Sequence, residues 1–158
     1  MAKQRSLLYR RTIILLATGF GSGLSPIMPG TCGTLIAIPI YLILRQLPQW
    51  LYLGIILAFF LFGIWLCQQV TEMLGEHDHP SIVWDEIVGY LFTMALAPNS
   101  WILILAGFLL FRLFDIWKPW PIRNCDKKIA GGFGIMLDDL LAALYSATIL
   151  TIIANYLL

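Results

Sequence analysis

The sequence predicts an all-α fold, a polytopic membrane helical bundle of about four to five segments. Three observations carry that expectation. Hydrophobic residues fill 59% of the 158 positions and charged residues only 12%, with a mean hydropathy of +0.83; soluble domains are nearer ~45–50% apolar. Four windows, 12–44, 46–71, 87–111 and 140–158, contain no charge, and each is close to or above the ~20 apolar residues that cross a bilayer core. The remaining charges are confined to short stretches between those windows. Residues 1–158 therefore read as one membrane domain, with 1–11 as a basic cytoplasmic N-terminus.

The segments follow from the pattern in order. The opening "KQRSLLYRRTIILLATGFG" resembles a signal peptide, but Gly19, Gly21 and Gly23 stand where a small-residue cleavage site would be needed, and further apolar segments follow. A first helix is expected over about 34–46, with Pro39 inside it, and a second over about 50–71, joined across "LPQ". Thirteen residues rise only ~20 Å against ~30 Å of hydrocarbon, so the first segment is short for a span. Ser81 is the expected N-cap of a helix reaching about 96, and the Pro98-Asn99 turn starts another over about 101–116. The last helix is expected over about 138–157, after the turn-rich "GGFG" at 131–134.

Charge asymmetry orients the bundle. Lys3, Arg5, Arg10 and Arg11 crowd one segment and Arg112, Lys118, Arg123, Lys127 and Lys128 another, whereas "LPQ" and "APNS" are uncharged. The positive-inside rule makes the basic segments cytoplasmic. Threading the segments then places all nine acidic residues on that same face, and Arg45 alone on the other, where it could snorkel. A net charge of +1 gives no pull toward nucleic acid. Cys32, Cys67 and Cys125 show no paired spacing and are expected to be free thiols. Trp84, Trp117 and Trp120 are expected at the membrane interface.

The cytoplasmic face is the expected active site. Asp85 and Glu86, Asp115, and Asp138 with Asp139 converge there from three helix ends. Grouped carboxylates repel one another unless a cation lies among them, and Mg²⁺ in particular is held by a few carboxylates, waters and phosphate oxygens. The other reading is that the acids merely favour helix starts, which does not suit Asp115 near a helix C-terminus. In "FRLFDIWKPWPIR", Arg112 and Asp115 share a helical face, as an ion pair or as part of a phosphate site in which Arg112, Lys118 and Arg123 bind oxygens.

The glycine-rich "GFGSGLSPIMPGTCGT" ends on Thr31, Gly33 and Thr34, whose backbone N–H groups suit an anion at a helix start; close helix packing is the alternative. It lacks the lysine of a nucleotide-binding loop. In "HDHPSIVWDE", His77 and His79 flank Asp78. Zinc would need a third soft ligand that is missing, which leaves a solvated loop or a histidine that orients or protonates a substrate group.

The blocks "GFGSGLSPIMPGTCGT", "HDHPSIVWDEIVG", "FRLFDIWKPWPIR" and "GGFGIMLDDLLA", in this order over roughly residues 15–145, resemble bacterial phosphatidylglycerophosphatase A. The resemblance implies Mg²⁺-dependent hydrolysis of phosphatidylglycerophosphate to phosphatidylglycerol at the cytoplasmic side of the bacterial inner membrane, among membrane lipids; homo-oligomer formation is left open. On that footing Asp85, Glu86, Asp115 and Asp139 are the expected metal ligands, and Asp138, His77 and His79 the other catalytic candidates. Arg112, Lys118 and Arg123, with N–H groups near Thr31, Gly33 and Thr34, would bind the substrate. Attack by a metal-activated water is expected, since no Cys-x₅-Arg loop and no Asp-x-Asp pair is present. A phospholipid synthase would need an Asp-Gly-x-x-Ala-Arg run, which is absent. The competing reading is a small divalent-ion transporter or channel, against which the acids sit at one rim and not near midplane.

Overall fold

The computed structural model describes residues 2–76 and 78–157, with the side chains of 2–6 and 157 left aside. Its seven α-helices among the described residues are α1 (Ala2–Ala17), α2 (Pro29–Leu44), α3 (Gln49–Leu74), α4 (Trp84–Thr93), α5 (Trp101–Trp117), α6 (Ile122–Lys128) and α7 (Gly131–Leu157). No strand occurs among them, in keeping with the all-α expectation. Two helices, α3 and residues 131–156 of α7, are long and apolar enough to cross a membrane, and α2 is a shorter apolar helix.

α7 is the axis of the bundle, packing against α3, α4, α5 and α6. Its polarity relative to α3 is fixed at both ends. Gln68, late in α3, accepts a hydrogen bond from the Gly132 amide at the start of α7, 2.9 Å away. At the other end, the Gln49 amide donates to the Ala95 carbonyl at 2.6 Å and the Tyr52 hydroxyl to the Leu91 carbonyl at 2.7 Å, tying the start of α3 to the end of α4. A side chain at Gly107 of α5 would meet both Met94, at that end of α4, and Leu150, late in α7, so the late part of α7 lies toward the start of α3 and the two long helices are antiparallel. The core between them holds Ile56, Leu66, Tyr90, Leu91, Phe111 and Met136, all nearly inaccessible. Leu57, Leu61, Leu105, Leu109 and Ile152 face outward, an apolar exterior that suits lipid better than water.

The helix boundaries differ from the sequence expectation in instructive ways. α2 starts at Pro29, five residues before the expected start, because Met28 takes a left-handed conformation and Pro29 supplies a preset first helical residue. Pro39 lies inside α2 as expected. Ser81 does not cap α4, which begins at Trp84 after Val83 and spans ten residues. The Ser81 hydroxyl instead lies 2.7 Å from His79 Nδ1. α7 begins at Gly131 and absorbs "GGFG", so Asp138 and Asp139 sit about two turns into the helix and not at its start. A side chain at Gly132 would strike the Ile64 carbonyl of α3; bare backbone there lets the two helices touch. Trp84 is no interfacial anchor, being 7% exposed with its indole N–H donating to the Phe59 carbonyl at 3.1 Å. Trp117 and Trp120 are exposed. The three cysteines are free.

Candidate active site

Four helices meet at the pole where α3 ends and α7 begins. α4 contributes Asp85 and Glu86, α5 contributes Arg112 and Asp115, and α7 contributes Asp138 and Asp139. α6 closes the side and brings Asp126. Glu72, Glu76 and Asp78 complete the nine acids of the chain at this one pole.

At the centre, one oxygen each from Asp85, Glu86 and Asp139 lie within 4.8 Å of one another. Asp85 Oδ1, Glu86 Oε2 and Asp139 Oδ2 are buried without a hydrogen-bond partner among the described residues. Buried carboxylate oxygens left unpaired are costly, and three carboxylates gathered this closely fit a hard divalent cation. Burial, and after it the Glu86 carboxylate, pushes Asp85 well above the ordinary carboxylate range. Burial and then Asp139 raise Glu86 in the same way, against the opposing pull of Arg112.

Arg112 rims this centre. Its Nη1 lies 2.6 Å from Asp115 Oδ2 and 3.6 Å from Glu86 Oε1, and both pairs are largely shielded from solvent. Asp115 thus faces Arg112, beside the three clustered acids and not within that group. Lys118, left-handed at the C-cap of α5, bonds to Asp138 and, at 2.9 Å, to Asp126. Burial alone would lower the Lys118 amine, but Asp138 and Asp126 outweigh it and hold the ammonium charged. Its partners are therefore protein carboxylates.

The remaining sequence-predicted residues fall around this core. Arg123 is exposed on α6 and, with Trp120 and Asn124, lines a second cavity of about 460 Å³. His79 is half-buried, with Nε2 3.8 Å from Glu76, outside the acid cluster. His77 lies outside the described residues. Thr31 is in the first turn of α2 and its hydroxyl is buried without a hydrogen-bond partner among the described residues. Gly33 and Thr34 are in the second turn, where N–H groups bond within the helix; Gly33 packs on Val83, and the Thr34 hydroxyl donates to the Gly30 carbonyl at 2.9 Å.

Two residues absent from the sequence-based candidates stand out. A side chain at Gly30 would run into the Glu86 carboxylate and lie 3.0 Å from the Arg112 guanidinium. Gly30 therefore keeps an approach to both groups open. Asp78 lies with Gly30, Glu86 and Arg112 around a cavity of about 410 Å³, whose rim is completed by Met28, Ile82 and Ile116. The signal for Asp78 was present in "HDHPSIVWDE", where it was read only as the spacer between histidines.

An all-helical fold among the described residues, with two helices long and apolar enough to cross a membrane and a largely buried acid and arginine centre at one pole, is the frame of a helical enzyme acting on a charged group. The family model described as Phosphatidylglycerophosphatase A matches residues 15–154, and the chain belongs to that family, one of phosphatases. It is 50% identical over 143 residues to "Phosphatidylglycerophosphatase A" of Escherichia coli (strain K12), covering 90% of this chain and 83% of that protein. It is 50% identical over 151 residues to the protein of the same name from Haemophilus influenzae, covering 92% and 91%. A Bacteroides thetaiotaomicron protein provisionally named a phosphatidylinositol-3-phosphatase is 37% identical over 148 residues, covering 88% and 91%. No solved structure matches.

Proposed function

We propose that the chain hydrolyses the terminal phosphate monoester of phosphatidylglycerophosphate, giving phosphatidylglycerol and inorganic phosphate, with Mg²⁺ as cofactor. The carrying observation is the close cluster of Asp85, Glu86 and Asp139, each with one buried oxygen unpartnered among the described residues, next to Arg112, with Glu86 and Arg112 also lining an open cavity of about 410 Å³. The relatives' names agree on the chemistry of a phosphate monoester on a lipid headgroup.

Asp85, Glu86 and Asp139 would hold the metal, with Asp115 positioning Arg112 beside it. When bound, the ion supplies neutralisation of phosphate charge and a more acidic water. Arg112 offers a planar fork to the equatorial phosphate oxygens. Thr31 and Gly30, whose first-turn N–H groups have no intrahelical acceptor, face anions favourably. Water oxygen forms a bond to phosphorus as the bond from phosphorus to the glycerol oxygen breaks, and the leaving oxygen takes up a proton. Asp138, held by Lys118, is the candidate acceptor of the water's proton. This assigns Lys118 to positioning Asp138.

The same reading sets the chain in the bacterial inner membrane with this pole cytoplasmic. α2, α3, α5 and α7 cross as helices, while α4, ten residues or ~15 Å long, leads through the turns over 94–100 to the opposite pole, where Gln49 donates to Ala95.

Phosphate release from phosphatidylglycerophosphate by the detergent-purified chain, with Mg²⁺ and then with EDTA, tests the proposal. Mg²⁺-dependent release supports it. No release from folded protein overturns it and favours divalent-ion transport, for which flux in proteoliposomes is the corresponding assay.

A further inference from the structure

The pole opposite the carboxylates carries a single charged side chain among the described residues, Arg45 at the C-cap of α2. None of the chain's ion pairs among those residues includes it. A merely snorkelling arginine would extend into water with nothing around its head. Here the guanidinium carbon is 5.9 Å from the Tyr41 ring centroid and 5.8 Å from that of Trp101, so the cation is pinned between α2 and α5. Beneath it is a cavity of about 100 Å³, lined also by Gln49, Tyr52 and Asn99. The Tyr52 hydroxyl and Gln49 amide are bonded to the Leu91 and Ala95 carbonyls, which leaves Arg45, Asn99 and the Tyr41 hydroxyl as polar groups of the pocket. The surround is apolar and aromatic: Trp50, Leu96 and Trp101 are each about 70% exposed or more.

A fixed cation, a pocket of about 100 Å³ beneath it and an aromatic and aliphatic rim together describe a site for the phosphate of an amphiphile whose remainder lies outside the pocket. We propose that the Arg45 pocket binds the phosphodiester of an anionic phospholipid in the leaflet away from the reaction centre. The inference rests on α3 and α7 crossing the bilayer and is independent of the reaction assigned above. The lipid head is the counter-ion that the protein does not supply, and its chains lie against Trp50 and Trp101.

Native mass spectrometry of the full chain in detergent tests this, with phosphatidylglycerol, diacylglycerol and inorganic phosphate as separate probes. Wild-type protein is expected to retain one phosphatidylglycerol and no diacylglycerol, and inorganic phosphate at equal concentration should not displace it. Arg45→Gln should lower retention about five-fold or more, and Trp101→Leu should lower it in the same direction by removing one ring from the cation. Arg112→Gln should leave it unchanged, separating this pocket from the reaction centre. Undiminished retention in both Arg45→Gln and Trp101→Leu overturns the proposal, as does loss in Arg112→Gln alone. Displacement by inorganic phosphate also overturns it, in favour of a free-anion site. Arg45→Gln should keep the far-UV circular dichroism and detergent-solubilised Tm of the wild type, which certifies its fold independently of any activity.

Discussion

Each acid at the reaction pole has its own geometry, and substitutions should separate them. Glu86→Gln and Asp139→Asn keep shape but remove a ligand charge, so phosphate release should fall about 10²-fold or more with far-UV circular dichroism unchanged. Arg112→Gln leaves Asp115 and Glu86 without their cation and should cost about 10³-fold in kcat/KM. Gly30→Ala places a methyl against Glu86 and Arg112, and it should reduce activity while the protein remains folded. Raised carboxyl groups give a sign for pH as well. Because burial raises Asp85 and Glu86 in the fold, protonation favours the folded state. That contribution is complete below the ordinary carboxylate value of ~4 and is lost as pH rises through the raised values. In EDTA, thermal unfolding should therefore move to lower temperature as pH rises from 5 to 8, and Mg²⁺ should flatten the trend. At this scale the sequence was informative about residue type. Asp85, Glu86 and Asp139 were legible as converging acids, but Lys118's commitment to Asp138 and Asp126 was not, because nothing local indicates which partner a flexible ammonium finds.

At the scale of elements, apolar windows located α3 and α5 closely, since a charge-free run has few alternatives to a helix in an apolar setting. Glycine-rich stretches misled. "GGFG" was read as a turn, and Gly131 is left-handed, but from Gly132 on the backbone is helical, with Gly132 letting α7 lie on the Ile64 carbonyl of α3, a contact sixty-odd positions away that local propensity cannot register. The same contact predicts a stability effect. Gly132→Val should overpack the α3 and α7 crossing by about 1–3 kcal/mol, seen as a lower Tm in detergent, whereas Gly54→Val, which meets nothing within 4 Å, should change it little. The ten-residue α4 was expected to be longer. It ends early at Thr93 with its core face packed on α7, and Asp85 and Glu86 in its first turn are placed by that packing and not by a cap from Ser81.

For the whole molecule, charge segregation was the most reliable signal. Nine acids at one pole and an isolated arginine at the other follow directly from where the uncharged windows fall. The proposed orientation makes a direct prediction: Asn99→Cys should react with a membrane-impermeant maleimide from outside intact cells and Asn124→Cys only after permeabilisation. Reversed labelling would contradict the cytoplasmic assignment.

The cavity beside Arg112 has an aliphatic mouth of Met28, Ile82 and Ile116, and that mouth changes how concentration should enter the kinetics. A substrate that arrives with its chains still dissolved in the bilayer meets the enzyme by diffusion in a plane. Turnover in mixed micelles should then follow the mole fraction of substrate at the surface, and adding inert detergent at constant bulk substrate should slow the reaction by dilution in two dimensions.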